Sequence, residues 1–464
     1  MNPRISRAGI AGAAGRAPRP APAAVRGYPI LFSPMITAPS TPLQTPATGP
    51  SISQRVRTLK PSVTVAFMNR AKAMQREGLD VLSFAAGEPD FDTPHVVKEA
   101  AEAALEQGMT KYTPTFGDPD TRQAIADKLV RENGIQTSAD LIAISPGGKA
   151  ALYVALHCLF DPPAPGEAPM ECLLPVPAWV SYAPIAELAG AKVVELPTGP
   201  ESDFKITPEQ LRKAITPRTR LFIINSPSNP CGTMYTPDEV RALAAVLAEA
   251  SRTIAPELVV LSDELYEKIT YGGIPHCSIG SIPEIAERTL TINGLSKAYA
   301  MTGWRIGYLA GVGAFGRKFI AAMQTLQGQI TTNITSFTYP AIRTALTRTA
   351  DDVERMRQAF AGRAAVISRR IAAIPGLKTA KPTGAFYVFP EVSAYFGKTS
   401  PKGRKIDSAM SLCEALLEEA HVAFVPGDDF GGCGKDHVRI SFACSEEQIE
   451  KGMDRFEGFL KSLR

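Results

Sequence analysis

Between about Leu141 and Gly311, seven short apolar runs alternate with longer stretches of helical pattern: LIAIS, ECLLPV, KVVELP, RLFIIN, LVVLSD, TLTIN and IGYLAG. Runs apolar on both faces and joined by helices build a mainly parallel sheet covered on both sides, which makes the chain an α/β protein. Sheets of this kind hold ligands at the carboxyl ends of their strands. Chemistry is therefore expected where the runs stop.

LIAIS stops at Pro146-Gly147-Gly148-Lys149 and opens a helix whose first amides could hold a phosphate. RLFIIN stops at a proline-rich turn, residues 226–232, that presents Asn229. LVVLSD stops at Asp263, with Tyr266 one turn on. TLTIN breaks at Asn293-Gly294 and delivers Ser296-Lys297, with Arg305 eight positions later, ahead of IGYLAG. Taken singly, each has a bland reading: a glycine turn, a helix N-cap at Asp263, a solvated lysine. Together they are hard to attribute to packing. A partly desolvated lysine is a nucleophile suited to Schiff-base chemistry, an arginine suits a phosphate, and a carboxylate keeps a pyridine nitrogen protonated. Asn229 and Tyr266 could then hydrogen-bond a phenolic oxygen beside the imine. The set points to pyridoxal phosphate.

Composition narrows the rest. The 464 residues, 45% hydrophobic and 21% charged, are ordinary for a globular chain of two or three domains. No apolar run approaches the roughly 18–20 residues that cross a bilayer, so no membrane span is expected. The net charge of +4 is local: residues 1–50 hold five arginines and no acid, leaving 45 bases against 46 acids. No nucleic-acid partner follows from it. Seven cysteines without a CxxC pair and five histidines without HExxH predict neither a disulfide framework nor a metal site.

Residues 1–50, rich in alanine, proline and arginine, read as a cleaved organelle-targeting leader without a core of its own. A helix is expected over about Ser62–Glu77 and a short strand over Val81–Phe84, followed by AAGEPDFDTP. In that loop Gly87 gives the backbone room beside a ligand, and Asp92-Thr93-Pro94 predicts an N-cap. Tyr112 in KYTPTFG reads, without context, as a half-buried packing tyrosine. After about Phe315, helices and the strand-like GAFYVFP, VAFVP and HVRISF predict a smaller α+β domain. Arg439 in HVRISF is either a solvated edge-strand arginine or a fork for a carboxylate.

These motifs, with GGKAAL, PAWVSY, NSPSNPCGT, SDELYE, NGLSKAYAMTGWRIGY and VPGDDFG, resemble the fold type I, class I pyridoxal phosphate-dependent aminotransferases from about Ser53 to the C-terminus. Within them the chain is similar to the prokaryotic-type aspartate aminotransferases. It is most like the plant plastid bifunctional aspartate and glutamate/aspartate-prephenate group, which shares KIDS...SLC at 405–413. The resemblance implies that Lys297 carries the cofactor as a Schiff base and shuttles the substrate proton. Asp263 would pair with the pyridinium, Asn229 and Tyr266 would bond the phenolic oxygen, and Trp179 would stack on the ring. Arg305, with the amides near Gly148 and Lys149 and with Ser296 beside them, would hold the phosphate. Tyr112 would reach the phosphate of the other subunit, so a homodimer with shared sites is implied. Arg439, helped by Gly87 and Asn229, would clamp the substrate α-carboxylate, while Lys149 and Thr64 would recognise a second carboxylate.

Three positions depart from the family pattern. Cys231 stands in the NPTG motif and adds an oxidisable thiol. Gly294 removes a hydroxyl that some members carry three residues before the lysine. Pro119 is expected to stiffen the loop after KYTP. The expected division is a leader over 1–50, an N-terminal arm and part of the small domain over 51–92, a large cofactor-binding domain over 93–335 and a small domain over 336–464. The expected activity is transamination between aspartate or glutamate and dicarboxylic 2-oxo acids, prephenate among them, in the plastid, with the mitochondrion as the other compartment. A broad aromatic or kynurenine-type transaminase, or a β-lyase, is the alternative on the same fold. A cofactor-sensing regulatory module would need a winged helix, which the proline-rich leader cannot form.

Overall fold

The computed structural model describes residues 50–464; residues 1–49, and with them the predicted leader, lie outside the described residues. Each of the seven apolar runs is a strand of one sheet: β1 Ile142–Ser145, β2 Glu171–Val176, β3 Lys192–Pro197, β4 Thr219–Asn225, β5 Val259–Asp263, β6 Thr289–Gly294 and β7 Gly307–Ala310. Their spatial order is β1-β7-β6-β5-β4-β2-β3. Strands β3, β2, β4, β5 and β6 run parallel. β7 runs antiparallel to both its neighbours, β1 and β6. Residues 295–306 join β6 to β7 with no helix long enough for a crossover, so the chain must turn back alongside the strand it left. That return loop is the one that carries Lys297 and Arg305.

The parallel crossovers use helices whose starts are written in the sequence. Before Pro237–Thr253, Thr236 and Glu239 form a reciprocal capping box, proline takes the first helical turn and Asp238 and Glu239 face the positive helix end. Its apolar face, including Val240, Leu243 and Leu247, packs with Phe222 and Ile224 of β4 and Val260 of β5. Leu247 is fully buried, so truncating it to alanine would cost on the order of 3 kcal/mol. The helices Gly148–Leu159 and Gly313–Gly328 contribute to a second cluster with residues of β2, β4, β5 and β6.

A smaller antiparallel sheet, β8 Tyr387–Val388, β9 Val425–Pro426 and β10 Val438–Ser441, has the order β9-β10-β8. It shares a core with the helices Val63–Arg76, Ala350–Ala373, Ala409–Ala420 and Glu446–Ser462, built around Phe84, Phe360, Phe386 and Phe424. Arg439 is thus on the central strand, not an edge, and is buried. Leu82–Ser83 pairs in parallel with Val422–Ala423, joining the first strand of the described residues to this late region.

Two local expectations fail. The helix after Asp92-Thr93-Pro94 starts at His95 without a side-chain cap. Thr93 instead donates to the Ala300 carbonyl at 2.7 Å and accepts from the Trp304 indole at 3.1 Å, tying this turn to the Lys297–Arg305 loop. Pro119 does not stiffen a loop: it is the first residue of the helix Pro119–Lys128, capped by Asp118. A proline at that position loses no helical hydrogen bond.

Candidate active site

Beside the carboxyl ends of β4, β5 and β6 lies a cavity of about 290 Å³. Every site residue predicted from the sequence lines it except Tyr112: Lys297, Asp263, Tyr266, Asn229, Trp179, Gly148, Lys149, Arg305, Ser296, Gly87, Arg439 and Thr64. Tyr112 is 89% exposed, so it is no packing tyrosine.

Lys297 is half-buried, its Nζ donating to the Gly87 carbonyl and lying 5.9 Å from the Phe386 ring centroid. Burial lowers its pKa from 10.5 to about 8, with nearby Glu88 opposing and Arg439 and Arg305 assisting. An amine that releases its proton near neutrality is a competent nucleophile and base. Asp263 ends β5 fully enclosed. Burial pushes its carboxyl up, while Tyr182, donating to Oδ2 at 2.6 Å, and the Leu265 amide, donating to Oδ1 at 3.2 Å, pull it down. Asn225, at the end of β4, braces this wall: its Nδ2 donates to the Asp263 carbonyl at 3.0 Å and its Oδ1 accepts from the Asn229 amide at 2.9 Å.

Opposite, the helix Gly148–Leu159 starts at Gly147, which has φ 86° and no side-chain cap. A Cβ on Gly147 would run into the Arg305 guanidinium, so glycine is what lets that cation lie against the helix start. The strand pair behind it is equally tight. A Cβ on Gly294 would fall 2.8 Å from the Ile306 carbonyl oxygen and 3.1 Å from Gly307 Cα. Gly294 is therefore the residue this backbone requires, and a hydroxyl-bearing side chain has no room there. Lys149 Nζ stands 5.0 Å from the Trp179 ring centroid, its pKa lowered by burial and by Arg305.

Across the cavity Arg439 reaches in from β10. Its guanidinium donates to Asn229 Oδ1 at 3.2 Å and to the Ala85 carbonyl at 2.8 Å, and its Nε is buried without a partner among the described residues. The Thr64 hydroxyl is also buried and unpartnered. Cys231 is 1% exposed and burial pushes its thiol well up, so the oxidisable thiol expected from the sequence is sealed away.

Residues 79–456 match the family described as aminotransferase class I and II. The chain belongs to that family. This aminotransferase is 41% identical over 415 residues to the aspartate aminotransferase of Geobacillus stearothermophilus, covering 89% of this chain and 99% of that protein. It is 39% identical to the bifunctional aspartate aminotransferase and glutamate/aspartate-prephenate aminotransferase of Petunia hybrida, covering 89% of this chain and 84% of the relative. Among solved structures it superposes on the Rhizobium meliloti aspartate aminotransferase with a TM-score of 0.82 and 38% identity, over 90% of this chain and all of the other. The Thermus thermophilus aspartate aminotransferase solved with maleate gives 0.79 and 40% identity, over 89% of this chain and 100% of that one.

Aminotransferases of this family are pyridoxal phosphate-dependent, and the cavity fits that group. It combines a neutralisable lysine, an enclosed carboxylate, a cation against an uncapped helix start, and buried donors at Arg439 and Thr64 without a partner among the described residues. Among the lining residues that the sequence reading did not single out are the polar Tyr182, Asn225 and Tyr387. Asn225 closes an apolar run just as Asp263 does, so the rule that found one could have found the other. The tyrosines lay inside quoted motifs, with no local signal separating them from core aromatics.

Proposed function

We propose that this aminotransferase exchanges amino groups between aspartate or glutamate and dicarboxylic 2-oxo acids, and that it accepts prephenate. The carrying observation is the pair of cationic groups, Arg439 and Lys149, on one cavity with Lys297. Two carboxylates held by two cations leave the substrate Cα near the amine that must take its proton. Maleate, which the Thermus relative binds, is such a dicarboxylate.

Pyridoxal phosphate, when bound, supplies a ring that accepts the charge left as Cα loses its proton. Asp263 would hold a proton on the ring nitrogen through its negative charge, which hydrogen bonds from Tyr182 and Leu265 keep in place. Arg305 and the amides at Gly148 would hold the phosphate, with Ser296 on the same cavity. Tyr266 and Asn229 would donate to the phenolic oxygen, and Trp179 would cover the ring and exclude water. Arg439, its Nε free to bind, takes the α-carboxylate beside Gly87 and Asn229. Lys149 and the Thr64 hydroxyl take the distal carboxylate. Lys297 Nζ, its pKa lowered by burial to about 8, would remove the Cα proton and deliver it to the carbon on the other side of the substrate nitrogen.

The exposure of Tyr112 supports its service to the site of a second copy, and hence a homodimer. Five arginines without an acid in residues 1–50 support import into an organelle, and the plastid is the compartment of this reading. A reporter fused to that leader checks the compartment, with mitochondrial signal as the opposing outcome.

The deciding experiment compares turnover of aspartate with 2-oxoglutarate against prephenate with aspartate or glutamate. Amino transfer in both sets is the expected result. Transfer in the first set alone removes prephenate from the reading, and release of pyruvate and ammonia instead of transfer would point to a β-lyase.

A further inference from the structure

Tyr387 on β8 is 1% exposed, and its ring lies under the Arg439 guanidinium, 4.9 Å from ring centroid to Cζ. Its hydroxyl is 2.9 Å from that of Tyr266, and neither hydroxyl has another protein partner among the described residues. The contact is built in from the other side as well. A Cβ on Gly87 would fall 2.5 Å from the Tyr387 oxygen, so the glycine whose carbonyl receives Lys297 also makes room for this hydroxyl.

A phenol has one proton to donate. If Tyr266 directs its proton at the cofactor's phenolic oxygen, as the proposed function has it, the proton between the two tyrosines must be Tyr387's. We propose that Tyr387 is a positioning residue: by donating to the Tyr266 oxygen it aims the Tyr266 proton at the cofactor and strengthens that hydroxyl as a donor. This rests on the reading of Tyr266 given above.

The physical consequence has a sign. A hydroxyl that accepts a hydrogen bond becomes a better donor, because the two bonds polarise one another. A better donor at the phenolic oxygen stabilises its negative charge. The neighbouring nitrogen linking Lys297 to the cofactor then loses its proton at a lower pH. Asp263 from β5, Arg439 from β10, Lys297 and Arg305 from the return loop and Glu88 also face this region, and all of them stay in place when one tyrosine oxygen is removed. Phenylalanine at 387 keeps the ring beneath Arg439.

The test is a pH titration of the visible absorbance of the holoenzyme for wild type, Tyr387→Phe, Tyr266→Phe and the double variant. Tyr266→Phe is expected to raise the apparent pKa. Tyr387→Phe is expected to raise it by a smaller amount, about two- to fivefold in the proton equilibrium. The double variant should titrate like Tyr266→Phe alone. Incorporating 3-fluorotyrosine at 387, a stronger donor of the same shape, should shift the band the opposite way and covers a Phe variant that folds poorly. A shift in Tyr266→Phe with none in Tyr387→Phe, or additive shifts in the double variant, overturns the proposal and leaves Tyr266's role intact. No shift in Tyr266→Phe overturns both.

Discussion

The hydroxyl of Tyr182 donates to Oδ2 of Asp263 across 2.6 Å, with both groups buried. Burial works against the charge Asp263 must carry to keep the cofactor ring protonated, and Tyr182 is the strongest influence restoring it. Tyr182→Phe is therefore expected to weaken cofactor retention by about tenfold, the worth of one hydrogen bond to a charged group. The loss should be greater at pH 6 than at pH 8, because the unsupported carboxylate takes up a proton more readily. Equilibrium dialysis of the cofactor at both pH values checks this. Equal losses would show that Tyr182 acts through packing on Trp179, with which it makes an edge-on contact at 5.2 Å between centroids.

Lys297 makes the protein without cofactor less stable than it need be. Its pKa falls from 10.5 in the open chain to about 8 in the fold, so below pH 8 the fold bears the full cost of an enclosed charge. Between pH 8 and 10.5 the unfolded chain binds more protons than the native one, and stability from this group rises with pH. Lys297→Met should stabilise the cofactor-free protein at pH 7 by on the order of 2–3 kcal/mol, a gain that shrinks towards pH 10.5. Urea unfolding at pH 7 and pH 10 measures it. The variant should also lack the visible absorbance and turnover of the holoenzyme, and retention of either would remove Lys297 from its assigned role.

Lys149 should decide which substrates the cavity prefers. Lys149 is exposed, and Lys149→Ala is expected to lower kcat/KM for aspartate about 10- to 100-fold, the worth of one hydrogen bond between charged groups, and for alanine only a few-fold. Steady-state kinetics on both amino acids reads the difference. Equal losses would assign Lys149 to the phosphate, for its pKa is lowered partly by Arg305, the cation that lies against the helix start at Gly147.

Strand ends were legible because a buried parallel strand is a continuous apolar run, and a polar residue closing it stands out. Asp263 closes its run, and Asn229 and Lys297 stand in the turns just after theirs. Contacts across the chain left no such trace. Thr93 reads as a cap by its neighbours, yet it bonds to Ala300 and Trp304 from the return loop. Arg439 looks like an edge-strand arginine because strand order in a three-stranded sheet is set by partners far away in sequence. Gly294 looked like a lost phosphate contact, whereas the approach of Ile306 and Gly307 dictates it. Tyr387 is one aromatic in an aromatic motif until its oxygen is seen beside that of Tyr266.

Thr64 depends on a residue that no motif singled out. It lies in the first turn of the helix Val63–Arg76, where Ser62 accepts from the Val65 amide at 3.4 Å and Asp429, from the distant loop before Gly431, accepts from the Val63 amide at 2.7 Å. A carboxylate at a helix start satisfies an otherwise free amide and faces the positive end of the dipole, worth about 1 kcal/mol. Asp429→Ala should loosen this turn and raise KM for aspartate several-fold, with a smaller change for alanine and little in kcat. Asp429→Asn keeps the acceptor and should restore most of the affinity. Cleavage at the nearby exposed Arg57 and Lys60 should speed up in the alanine variant and not in the asparagine one. If aspartate kinetics and cleavage both stay at wild-type values in Asp429→Ala, Ser62 alone holds the helix start and Thr64 needs no support from the distant loop.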